Sequence, residues 1–384
     1  MISKLYGGLL VCQLLALPSL ARTWTDASGR SFEATLIRAE GEKVHLNVRG
    51  LQRTFQLSQL SAKDRSFVQS GGRTTSPSSP LPKRKVVPPK RNNFPRNPQI
   101  QADVSIQVER LRADPPNRRW VYGSPNFEFI CDDDLGLVSV RKFAWMFESV
   151  WQFCERLPFD VPRLRSEEKV RMKTYLIKEY ADYIKLGGTP NSSGVYIPSR
   201  DIILIPFQSL DLGRRPLLKD ANNTLRHEVT HQLLKGQSQQ AGWFIEGLAD
   251  YVATVPFDQN RLLVDRHTQA ILQYITAYGW NERRGHNLGK VITLSRLESF
   301  MRPSYRQFQN QQHAYAYALA LYTYFAKFDG KRDGARLANY VAALQDGRSE
   351  REARSFLLDG RSYEQLEKEM AAAWAALSLT LRFE

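Results

Sequence analysis

Thr224-Leu225-Arg226-His227-Glu228-Val229-Thr230-His231-Gln232-Leu233-Leu234 carries H-E-x-x-H inside an amphipathic run. Read as a helix, the run places His227 and His231 one turn apart on a single face. Two imidazoles stacked in this way can grip one zinc ion. Glu228 is rotated away from the first histidine, so it is free to act as a base on a metal-bound water rather than on the metal. The spacing therefore provides two nitrogen ligands and one base beside an open coordination position. H-E-x-x-H alone also occurs on plain surface helices, so a third ligand has to be found elsewhere in the chain.

Downstream, Trp243-Phe244-Ile245-Glu246-Gly247-Leu248-Ala249-Asp250-Tyr251 reads as a second helix, and fourteen residues separate His231 from Glu246. That length ends the first helix near Gly236, turns through Gln237 to Gly242, and returns a carboxylate to the metal. Two histidines and a glutamate leave the fourth position of zinc for water. Asp250 lies one turn after Glu246 on the same face. From there it can accept the spare ring N–H of His227 and fix its tautomer. Both acids sit among Trp, Phe, Ile, Leu and Tyr, which argues against a solvated helix face.

At these residues the chain resembles the gluzincin metallopeptidases. His227-Glu228-Val229-Thr230-His231 is similar to their zinc helix, and Glu246-Gly247-Leu248-Ala249-Asp250 to their glutamate helix with its E-x-x-x-D pattern. The wording W-F-I-E-G-L-A-D-Y looks most like a bacterial peptidase-like branch of that clan. The resemblance is tight from Thr224 to Val252 and loose from Tyr122 to Leu377. It implies an α+β zincin-like fold, Zn2+ held by His227, His231 and Glu246, Glu228 as general base, and Asp250 as the residue that orients His227.

Upstream, residues 1–21 read as a secretory signal: Lys4 starts it, Leu9 to Leu17 is its apolar core, and Ser19-Leu20-Ala21 is a small-x-small cleavage site. The apolar run is too short to span a bilayer, and no later stretch is long and apolar enough to do so. The expected product is secreted or periplasmic. Cys131 and Cys154 remain after cleavage. Export permits a disulfide, but Cys154 falls in a helical pattern with Trp151, Phe153 and Leu157, which favours buried free thiols.

Residues 22–70 alternate in short strands: Arg22 to Thr25, Ser31 to Ala39 with Phe32, Ala34, Leu36 and Arg38 on one face, Lys43 to Val48, and Thr54 to Leu57. Ser61 is placed to cap a short helix after them. The W-T-x-x-x-G-R opening and L-S-x-L-S-x-x-D close resemble an SH3-like barrel of the Sla-homology type, which implies a small all-β docking module. Gly71 to Ile100 contains seven prolines, seven Lys or Arg and no acid. That composition favours a solvated linker. An anionic cell-envelope polymer is the alternative partner of its basic runs, and the near absence of aromatic residues argues against single-stranded nucleic acid. We set the linker at 71–119 and the last domain at 120–384.

Within that domain, Asn126 to Cys131 and Arg171 to Ile177 read as strands, Leu135 to Leu157 as a heavily apolar helix, and Glu179 to Leu186 as a helix stopped by Gly187-Gly188. Gly194 to Pro206 reads as a hairpin turning at Pro198 to Asp201. In zinc peptidases of this architecture such a strand lines the cleft and pairs with extended substrate. Three helices are expected toward the C-terminus, over His313 to Phe328, Ala335 to Gln345 and Ser362 to Leu377. The peptidase-like branch opens the first of these with a tyrosine. Tyr315 is the nearest match, placing a phenol where it can stabilise an oxyanion, although a core role also suits it. His286 and His313 compete for that role, while His267 and His45 read as surface or structural residues.

The sequence thus leads to a multidomain protein: a small all-β SH3-like barrel, then an α+β zincin-like domain with a helical C-terminal part. The expected activity is hydrolysis of peptide or protein substrates with zinc. The alternative is a non-enzymatic cell-envelope binding protein with a structural zinc, which Glu228 argues against because a structural site needs no base and normally has four protein ligands. Limited proteolysis is expected to cut first between Gly71 and Ile100 and to leave a stable fragment containing His227 and Glu246. Primary cleavage inside Tyr122 to Leu377, read by mass spectrometry, contradicts the boundary.

Overall fold

In the computed structural model the described residues are 22–48, 51–69, 99–101, 103, 105–165, 170–210, 221–235, 241–258, 260–277, 285–302 and 305–384. They form two compact units, one ending at Gln69 and one beginning at Gln99. The expected leader and most of the expected linker lie outside the described residues.

In the first unit, β1 (Arg22–Thr25), β2 (Ser31–Glu40), β3 (Lys43–Val48) and β4 (Leu51–Gln56) form an antiparallel sheet in chain order. Alternation turns Trp24, Ala34, Val44 and Leu46 inward, where Leu57, Leu60 and Val68 cover them. Trp24 is fully buried, and its indole N–H donates to the Ala34 carbonyl at 3.0 Å. After β4 the chain returns to β1: Ser61 N–H donates to the Thr25 carbonyl at 2.8 Å, and Asp64 accepts the Thr25 N–H at 2.8 Å. Ser61 caps α1 (Ala62–Gln69), accepting from the Asp64 N–H at 3.2 Å. The expected alternation through Arg38 fails. The β2–β3 register shifts between Leu36 and Arg38, a bulge that leaves Arg38 exposed and paired with Glu40 at 2.9 Å.

The second unit opens with the short strand β5 (Ile100–Gln101). After it come β6 (Glu109–Asp114), β7 (Arg119–Gly123), β8 (Phe127–Cys131), the long helix α2 (Gly136–Cys154), β9 (Met172–Ile177), α3 (Tyr180–Lys185), β10 (Val195–Ile197) and β11 (Ile202–Pro206). Six of these strands make one mixed sheet in the order β10-β11-β9-β8-β7-β6. Its middle is parallel at β11–β9 and β9–β8, and its outer pairs are antiparallel. The hairpin forms where expected, with Asp201 at φ 54° in its turn. The domain boundary near residue 120 does not hold for the sheet, because β6 lies within the stretch assigned to the linker. Glu109–Asp114 is an edge strand with five of its six residues exposed, so it lacks the alternation that marks a strand in sequence. Cys131 and Cys154 are buried and unpaired.

The remainder is mostly helical: α4 (Ala221–Leu233), α5 (Gly242–Ala253), the small strands β12 (Phe257–Asp258) and β13 (Arg261–Leu262), α6 (His267–Thr276), β14 (Val291–Leu294), α7 (Leu297–Met301), α8 (Tyr305–Phe308), α9 (Ala314–Thr323), α10 (Ala335–Gln345), α11 (Glu350–Leu358), α12 (Tyr363–Ala375) and β15 (Thr380–Phe383). β13 pairs with β12 and β5, and β14 runs parallel to β15. No helix among the described residues is long and apolar enough to cross a membrane. α5 is the central helix, with eleven of its twelve residues buried. Trp243 packs on Phe325 and Tyr340 with ring centroids 6.1 and 5.8 Å away. Gly247 marks the closest approach of α5 to α9: a Cβ there falls 2.5 Å from the Ala318 carbonyl oxygen and 2.9 Å from Tyr322 Cβ. Backbone cannot move aside as a flexible side chain can. Gly247→Ala is expected to cost about 1–3 kcal/mol, read as a lowered melting temperature.

Candidate metal centre

α4 packs against the sheet and against α5, and named side chains set its position. Leu225, Val229 and Leu233, four residues apart, are fully buried. Gln232 Nε2 donates to the carbonyls of Lys173 and Asp201 at 3.2 and 3.1 Å, tying the helix to β9 and to the hairpin turn. Arg226, 1% exposed, donates to the Ala253 carbonyl at the end of α5 and to Asn223 Oδ1 at 2.7 Å. These ties leave His227 and His231 facing the polar stripe of α5.

There the expected residues meet. His227 Nδ1 and Asp250 Oδ1 are 2.8 Å apart, so the ring N–H goes to the carboxylate and the Nε2 lone pair points the other way. His227 Nε2 lies 2.8 Å from His231 Nε2 and 3.1 Å from Glu246 Oε2, and His231 Nε2 lies 3.4 Å from the same oxygen. Among the described residues these three form the one group able to hold a metal ion, with ligand atoms within 4.8 Å of one another. Two imidazole nitrogens and one carboxylate oxygen suit zinc. Donors bound tetrahedrally at ordinary zinc distances stand about 3.3 Å apart, so the residues fit the ion. Burial works against charge on both partners, but the mutual attraction prevails: His227 binds its proton more tightly than a free histidine, and Glu246 loses its proton more readily than a free glutamate.

Glu228 stands beside the group without joining it. Its Oε2 accepts the backbone N–H of Tyr196, on edge strand β10, at 2.7 Å. Among the described residues its Oε1 has no hydrogen-bond partner. A cleft of about 880 Å³ opens over these groups, lined by His227, Glu228, His231 and Glu246 and walled by Val195, Tyr196, Leu234, Ile245, Tyr305 and Tyr315.

Tyr315 lies in the cleft, its phenol pushed up to about 12 by burial and then by the charge of Glu246. The carboxylate is reached by a different residue, Tyr305 on α8, whose hydroxyl donates to Glu246 Oε1. Glu246 thus turns one oxygen to the histidines and the other to a phenol. No sequence signal marks Tyr305: it sits among polar residues, is 42% exposed, and belongs to a helix of only four residues. His286 packs edge-on to Tyr274 and His313 caps α9 in a left-handed conformation, and neither lines the cleft. His267 is structural and fully buried, not a surface residue, with Nε2 2.7 Å from the Tyr251 carbonyl. Comparison with known families and with curated proteins finds no match to this chain.

Both residues that touch the ligands from behind have a measurable signature. If the group holds zinc, Asp250→Asn and Tyr305→Phe are each expected to weaken its affinity by about ten- to a hundredfold. The check is competition with a chromogenic chelator, with the melting temperature of the zinc-saturated protein held within a few degrees of wild type.

Proposed function

We propose that this chain is an exported zinc-dependent peptidase of the gluzincin kind, in which an SH3-like module precedes the catalytic domain. The observation that carries the reading is Glu228, a carboxylate in an open cleft beside a three-residue metal group and outside it. Such a site leaves a coordination position free and keeps a base within reach of it, as catalytic zinc sites do. His227, His231 and Glu246 would hold the ion. When bound, zinc supplies Lewis acidity, polarising a carbonyl and lowering the pKa of water to about 7.

The protein's own groups do the rest. Glu228 takes a proton from the attacking water and passes it to the leaving nitrogen. With the edge empty the Tyr196 N–H holds Oε2, and Oε1 is the oxygen free to take the proton. β10 pairs with β11 on one side only, and an extended peptide laid along its other edge reaches the cleft with its backbone recognised and its side chains little constrained. Tyr305 is committed to Glu246, which leaves Tyr315 as the phenol to donate to the oxygen that gains charge.

Glu228→Gln separates this reading from that of a binding protein with a structural zinc. The substitution keeps the volume and removes the base. Turnover of a quenched casein substrate is expected to fall by at least roughly a hundred- to ten-thousandfold, with zinc content and melting temperature unchanged. Full activity in the variant, or a zinc-loaded wild type that cleaves no peptide in a broad library, removes the enzymatic reading.

A further inference from the structure

Lys235 lies four residues beyond His231, just past the end of α4, and lines the same cleft. It is the only lysine or arginine among the described lining residues. Its Nζ sits 2.9 Å from Asp201 Oδ2 in the hairpin turn, and its side chain is 48% exposed. Asp201 does not depend on it. Arg163 grips both oxygens of that carboxylate, Nη1 to Oδ1 at 2.8 Å and Nη2 to Oδ2 at 2.9 Å, and Tyr196 Oη donates to Oδ1 at 3.1 Å.

Two cations face one carboxylate, so among the described residues this cluster carries one positive charge in excess. Arg163 is walled in, 18% exposed and also bonded to the Gln232 carbonyl at 3.2 Å. The half-exposed ammonium of Lys235 is therefore the part of the excess charge that a ligand can reach. Gln232 fastens the same turn to α4, which fixes the cluster relative to the histidines. The cleft is polarised, with carboxylates around the metal group and a cation one helical turn further on. Along the end of α4 and the turn that closes it, four residues advance the backbone by about 6 Å, the span of about two residues of extended chain.

We propose that Lys235 determines specificity in this cleft, selecting peptides that carry a carboxylate within about two residues of the bond presented to Glu228. The inference rests on the peptidase reading and names its substrate class. The carboxylate comes either from an acidic side chain or from the peptide's own C-terminus.

Calorimetry distinguishes these sources. The probes are acetylated hexapeptides with amidated C-termini in which one glutamate is moved from position to position, their glutamine counterparts, and the same glutamine peptides with free C-termini. Zinc-loaded wild type is expected to bind a carboxylate-bearing peptide roughly five- to tenfold more tightly than its neutral twin. Lys235→Gln should bind both alike, and Lys235→Arg should retain the preference. Because Arg163 and Tyr196 still hold Asp201, melting temperatures should not change. A preference for glutamate identifies the side chain, and one for the free acid identifies the terminus. Equal binding of all probes by wild type, absence of binding, or a preference that survives in Lys235→Gln overturns the proposal. Hydrolysis of the same peptides is measured in parallel. Cleavage without acid preference removes the role of Lys235 alone. A Lys235-dependent preference without cleavage removes the peptidase reading and retains the acid recognition.

Discussion

Two carboxylates buried on one face of an apolar helix are the constraint on which the second unit is built. Glu246 and Asp250 are 1% and 5% exposed inside α5, and an unpaired buried carboxylate costs several kcal/mol. Three partners offset that cost, drawn from two other elements: the two histidines of α4 and the phenol of Tyr305 on α8. α4 can satisfy both acids in only one register. A slip of one residue puts Arg226 or Glu228 where His227 must stand. The buried Arg226, tied to the carbonyl that ends α5, holds that register from behind.

The same register positions the cleft. Gln232 and Arg163 fasten the hairpin turn to the last turn of α4, so β10 is held along the cleft by the helix that carries the histidines. The cleft wall, Glu228 and the group of His227, His231 and Glu246 therefore share one set of supports. That arrangement suits chemistry requiring tenths of an ångström between groups drawn from separate elements.

Much of this was legible in the sequence because it is local. The spacing of His227 and His231, the Glu246–Asp250 turn, the proline-flanked hairpin and the helix Ala335–Gln345 are patterns within a dozen residues. Longer-range features left no trace. β15 finds its parallel partner β14 about ninety residues away, and Thr380–Phe383 has nothing to declare that pairing. β6 is masked by its charges. Tyr305 reaches Glu246 across 59 positions, and the expectation of a phenol settled on Tyr315 because the peptidase-like branch that the sequence resembles opens the equivalent helix with a tyrosine.

Backbone N–H groups along an antiparallel strand point alternately toward and away from the partner, and the middle residue of β10 points its own away. That residue is Tyr196, and its N–H already belongs to Glu228. Any extended ligand that takes this hydrogen must release Oε2, so the edge and the carboxylate are linked sites competing for a single proton donor. Linkage is reciprocal: whatever draws Glu228 away favours filling the edge, and filling the edge frees the carboxylate. Occupancy at the rim of the sheet is thereby communicated to the floor of the cleft through one hydrogen bond, with no helix or strand required to move.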